Sequence, residues 1–396
     1  MLILRAKTPD EDEVAADPPG RWIAGLSNEM PLMDALELIY LQRFQGVVWY
    51  LPLAADKDEN VEYLHKLRVA CRRLGVVLDV LAEGFSEPPR QSLAKLLRKI
   101  RRCCGQARDL DVRRTVLESQ LSSASVEDAA VIELLCEQTV RKRARVQQTI
   151  RRKLTKLRPD LNQAGAVLLS SLRSVRRDAD DGYSSFGKTG RRILAKELAA
   201  LWDLAAWELA ARDLTAQDRE STAALHRLRI ALKHLRYASE IFIPILPPSF
   251  CENFYPHLEE VQDLLGEAHD ATEAARICST TQKKWKSWRG KKKWARRGLA
   301  GFRWGAVRHG LEVTRLACVQ QGAHARTEFL EFWPGFSGDS FRRPVAALLA
   351  ILQDPAISVA GVDPAGEDVS TAGDDSTQGD DSTRGESKDY EHLLPH

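Results

Sequence analysis

Two short stretches of this 396-residue chain place the same chemistry at the same spacing. LHKLRVACRRL begins at Leu64 and carries His65, Arg68 and Arg72. LHRLRIALKHL begins at Leu225 and carries His226, Arg229, Lys233 and, immediately after it, Arg236. Steps of three and four put each set on one helical stripe, at most about 80° wide. Arg presents a planar fork that grips phosphate oxygens two at a time, and Lys a compact charge. His adds a donor whose protonated form a nearby anion favours. On one helix such a stripe is ordinarily a solvated face, and either histidine alone reads as neutral and bonded to a backbone carbonyl. Recurrence in the same order, at the same angle to the apolar face, makes the pair an anion-binding candidate.

The elements that must position these side chains are legible in the same stretches. Leu64, Leu67, Cys71, Leu74, Leu78 and Leu81 form a single apolar seam, matched by Leu225, Leu228, Leu232, Leu235, Ser239 and Phe242. Each cation stands one position beyond a seam residue, so its stem packs while its charged head reaches into a groove. GQARD at Gly105 and GEAHD at Gly266 repeat the offset of 161 residues seen between the first pair. One offset shared by two motifs predicts a duplicated helical unit with room for about four helices. The expected fold is all-α, two tandem four-helix bundles with an internal pseudo-twofold repeat. Residues 34–180 form the first repeat and 181–353 the second, between an acidic, disordered leader (1–33) and an acidic, disordered tail (354–396). Gly, Pro and Ser clusters predict helix breaks at 84–89, 178–190, 244–249 and 334–340.

The pattern H-x-L-R-[VI]-A-x-[RK]-x-L, present twice and continuing in the second copy into Arg236-Tyr237, with G-x-A-x-D later in each unit, resembles the CHAD (conserved histidine α-helical domain) family. The resemblance spans approximately residues 34–345. It implies two four-helix bundles about a pseudo-twofold axis, with basic residues lining a central groove or pore. It also implies binding of inorganic polyphosphate and, for some members, association with polyphosphate granules. The ligand contacts it assigns are His65, Arg68, Arg72, His226, Arg229, Lys233 and Arg236, with Arg73 adjoining them. Lys95, Arg98 and Arg102 form a further basic stripe on the following helix. Their counterparts 161 residues on are Pro256, Glu259 and Asp263, so the halves differ electrostatically. Asp109 and Asp270, which close the G-x-A-x-D elements, are expected to cap a new helix or pair with a motif Arg rather than to catalyse.

Charge supports a polyanionic partner. The formal net charge of +3 conceals a body, residues 34–353, with 53 Lys/Arg against 38 Asp/Glu, and a tail with 11 acids against 2 bases. Two more basic runs keep nucleic acid as the alternative partner. Lys283 to Arg297 interleaves three Trp and no acid, and Arg141 to Arg158 holds nine Lys/Arg. Trp285, Trp288 and Trp304 also fit a helix core face. No apolar run approaches the roughly 20 residues of a membrane span, and the first residues lack a secretory pattern, so no membrane partner and a cytoplasmic setting are expected. Seven scattered cysteines without CxxC spacing read as reduced thiols, with no metal site. EDEVA at Glu11 is not the E-x-E-x-K strand of triphosphate-tunnel hydrolases. P-loop, nucleophile-elbow, HExxH and dinucleotide-turn motifs are missing too. A protein that is not an enzyme, with no catalytic residue and no cofactor, is the expectation.

Overall fold

The helical period read from the two seams is realised along the chain. A computed structural model describes residues 20–57, 60–178, 185–211, 219–246, 250–296 and 298–337. These form an all-α structure with no strand among the described residues; one isolated bridge joins Pro31 to Ser185. The first half contains α1 (Leu32–Asp56), α2 (Val61–Val80), α3 (Glu87–Ser119) and α4 (Val126–Asp178). The second contains α5 (Phe186–Ala211), α6 (Arg219–Phe242), α7 (Tyr255–Lys286), the single-turn α8 (Lys292–Arg296) and α9 (Trp304–Ser337).

Local chemistry sets several of the starts. Asn60 Oδ1 accepts the Glu62 amide at 3.0 Å, capping α2. Ser125 Oγ accepts the Asp128 amide at 3.2 Å and donates to the Asp128 carboxylate at 2.8 Å, opening α4. Pro occupies the first turn of α3 and of α7, where a missing N–H is harmless. α2 ends at Val80 and α3 begins at Glu87, so that break comes a few residues before the predicted 84–89; α4 ends at Asp178 and α6 at Phe242, close to the predicted breaks, but α9 continues through Pro334 to Ser337.

Within the first half α1 packs on α2 and α4, and α3 on α2 and α4; in the second, α6 packs on α5 and α7, and α7 on α9. The halves meet where α2 lies on α6, α3 on α7 and α4 on α9. Every residue of both seams is buried, Leu67, Cys71, Leu228 and Leu232 completely. One hydrophobic cluster runs from α1 through α7 to α9 without interruption. Replacing a fully enclosed seam leucine by Ala costs about 2–5 kcal/mol. A second cluster unites Leu117 of α3, Ile132 and Leu135 of α4, Trp285 of α7, Trp288 just beyond it, and Leu311 of α9. Two of the three Trp in the basic run are therefore core.

Of the expected leader, residues 1–19 lie outside the described residues. Residues 20–33 pack on the helices: Ile23 is buried, Trp22 meets the Tyr255 ring edge-on at 5.3 Å, and Arg43 donates to the Arg21 carbonyl at 2.9 Å. Ile23 supplies the apolar anchor, while Trp22 stays exposed beyond its contact with Tyr255. The tail at 354–396 and the expected boundary at 180/181 lie outside the described residues. No described helix is long and apolar enough to cross a membrane.

Candidate functional site

The α2–α6 pair brings the two stripes together. Arg68 is buried and its Nη1 donates to the Arg101 carbonyl of α3 at 2.7 Å. Burial, then Arg229 and Arg72, push the Lys233 ammonium down to about 6, against an opposing pull from Asp270. Arg229 is also lowered by burial; Asp270 opposes the shift and Arg72 of α2 adds to it. Arg72 thus shares one electrostatic environment with Arg229 and Lys233 across the interface. Arg229 Nε is buried with no hydrogen-bond partner among the described residues. The basic side chains Arg68, Arg72, Arg229 and Lys233 outnumber the two carboxylates beside them, Asp109 and Asp270, and this excess favours an arriving anion.

Histidines line the same region, and burial disfavours their charged form. Burial, with Arg108 next, lowers His65 to about 4, and burial also lowers His226. The His226 ring lies 5.3 Å from that of His269, which burial and Arg229 hold at about 4. His65 also lines a cavity of about 330 Å³ on the leader side, with Arg21, Arg43 and Arg73.

Asp109 and Asp270 correct one expectation. Both stand inside uninterrupted helices, α3 and α7, so neither caps a helix start. Burial raises both carboxyls; Arg68 opposes the shift at Asp109, and Arg229 opposes it at Asp270. Each half therefore sets its own Asp beside its own motif Arg. The glycines of the same motif leave space. A Cβ at Gly266 would meet nothing within 4 Å, and one at Gly105 only Arg68 Nη1, at 3.5 Å.

Other assigned residues are placed differently. Arg73 turns away and binds buried Glu240 through Nε at 2.6 Å and Nη2 at 3.0 Å; Tyr255 donates to the same carboxylate at 3.1 Å. Across the helix pair, His234 Nε2 lies 3.8 Å from the Asp79 carboxylate and 3.3 Å from that of Glu197. Arg236 reaches Glu259 at 3.4 Å, and its guanidinium lies 5.1 Å from the Tyr237 ring. Arg98 lines a cavity of about 760 Å³ between α2, α3, α5 and α6, together with Arg90, Arg101, Arg192 and Lys196. Lys95 and Arg102 are exposed on α3 and line none of the cavities described.

Three residues escaped the sequence reading: Arg101, Arg108 and His269. Burial and then Arg72 lower Arg101 to about 10. Arg108 and His269 occupy the same position of G-x-A-[RH]-D, a basic side chain in both copies, which was the available signal. Among the described residues no group of three or more His, Cys, Asp or Glu is placed to hold a metal ion.

The CHAD domain model matches residues 42–279, more than half of the chain. The crystal structure of the CHAD domain from the plant Ricinus communis is similar, with a TM-score of 0.56 at 22% identity over 75% of this chain and 97% of that one. PptA from Streptomyces chartreusis gives a TM-score of 0.55 at 18% identity over 76% and 99%. No curated protein matches the sequence. With its duplicated histidine–arginine helices inside the matched span, this chain belongs to the CHAD domain family.

Proposed function

We propose that this chain is a non-catalytic binder of inorganic polyphosphate, held in the groove where Arg68 and Arg72 of α2 face Arg229 and Lys233 of α6. The observation that carries this reading is the packing of α2 on α6, which brings half-buried Arg72 near enough to Arg229 and Lys233 to disfavour their charged forms. Polyphosphate suits it because a linear chain of charges engages many cations at once. His65, His226 and Arg236 flank the groove, Arg98 extends it into the larger cavity, and Lys95 and Arg102 supply an outer approach. Arg73 acts as a structural partner of Glu240.

Residues 34–180 and 181–353 are read as two duplicated bundles about a pseudo-twofold axis. Arg73 of α2 reaches Glu240 of α6, while His234 of α6 approaches Asp79 of α2. Offsetting either pair by 161 residues generates the other, the exchange a twofold axis requires. A cytoplasmic setting and polyphosphate granules complete the proposal. The nucleic-acid alternative loses support because Trp285 and Trp288 are buried in the second cluster and offer no face for stacking.

Titration with long-chain polyphosphate tests the reading. Binding is expected to be far tighter than for orthophosphate and to weaken steeply with salt. Ready displacement by duplex DNA of matched charge would transfer the assignment to nucleic acid, and no binding at low salt would end it.

A further inference from the structure

The basic runs of α4 and of the end of α7 take no part in the groove, yet they meet each other. Arg113 of α3, Lys142 and Arg145 of α4 and Lys284 of α7 line a chamber of about 110 Å³, and no carboxylate lines it. Arg113, Lys142, Thr281 and Lys284 also line an adjoining cavity of about 390 Å³, which reaches Asp109 and Glu273. Trp288, fixed in the second core cluster, forms one wall. The ammonium groups of Lys284 and Lys293 lie 5.4 and 4.9 Å from its ring centroid, which holds both near the chamber. Arg113 Nε is buried and has no hydrogen-bond partner among the described residues.

We propose that this chamber is a second anion site, separate from the groove, that takes a compact phosphate group or short oligophosphate. A guanidinium fork beside three movable charges matches a ligand with several oxygens and more than one negative charge. The unliganded arrangement is electrostatically unfavourable. Lys142 is lowered by burial and by Arg113, Lys284 and Arg145, and only Asp109 opposes them. The buried Trp rings leave no stacking face, so the chemistry selected is phosphate rather than nucleobase. This site stands whether or not the groove holds polyphosphate.

The test is calorimetric titration of the full chain with tripolyphosphate at low salt, beside K142Q/K284Q and R72Q/R229Q. Affinity should fall about tenfold or more in K142Q/K284Q and stay within about threefold in R72Q/R229Q. Long-chain polyphosphate, titrated in parallel, reads the groove separately: its loss in R72Q/R229Q with tripolyphosphate retained marks two sites. Lys142 and Lys284 are exposed, so both substitutions should leave the fold intact, and K142R/K284R should restore binding. The proposal fails if K142Q/K284Q binds tripolyphosphate like the parent, if R72Q/R229Q alone loses it, or if the parent does not bind it. A K142R/K284R chain of full helicity that stays inactive also counts against it.

Discussion

Lys233 sits where folding and binding pull in opposite directions. Its ammonium is held at about 6 in the folded chain against an ordinary value of 10.5. Between those values the unfolded state binds the extra proton, so stability rises with pH across that window, and near neutrality Lys233 weakens the fold. Lys233→Met is therefore expected to raise Tm by about 2 °C or more while lowering polyphosphate affinity about tenfold. Calorimetric melting and titration check the two halves of that statement; a lower Tm would mean the amine is better paired than its neighbours indicate. An anion in the groove reverses the shift. It raises Lys233 together with His65 and His269, so the complex takes up protons, and affinity climbs as pH falls from 8 towards 6. The gain is up to about tenfold per pH unit for each proton bound. Titration in buffers of different protonation heat measures this uptake directly, and a flat profile would remove Lys233 from the contact.

At the scale of elements, α2 and α6 were readable because a 3.6-residue period marks the buried face and, one step round, the basic stripe. The seams and the core role of Trp285 and Trp288 came from that period alone. Arg73 did not: one residue past Arg72 is about 100° of rotation, enough to turn it from the groove to Glu240. Arg101, Arg108 and His269 also stand one position beyond buried Ile100, Ala107 and Ala268, but α3 and α7 do not repeat a full cation stripe to mark that face: the counterpart of Arg101 is Gln262. A helix cap at Asp109 and Asp270 would have set Gly105 and Gly266 at a break between helices. Both instead lie in mid-helix, where each costs roughly 0.5–1 kcal/mol relative to Ala. What they provide is room beside the motif cations. Gly266→Leu should accordingly keep or raise Tm while reducing polyphosphate affinity severalfold, and unchanged affinity would place the ligand elsewhere.

Across the whole molecule, a basic body is tethered to a tail with 11 acids and 2 bases. An acidic segment on the same chain is expected to compete with an external polyanion at a high effective concentration. Deleting residues 354–396 should raise polyphosphate affinity, most visibly at low salt where screening is weakest; equal affinities at low salt would rule out such competition. The two contacts exchanged between α2 and α6 carry a mechanical consequence. Glu240 is fully buried and doubly bonded to Arg73, and stranding it would cost about 3–5 kcal/mol. The corresponding His234–Asp79 approach is 3.8 Å long with Asp79 half exposed, and parting it costs little. The helix pair is thus hinged at one end and lightly latched at the other. Asp79 and His234 both line the 760 Å³ cavity, so local opening of the helix pair is expected on that side before the Glu240 side.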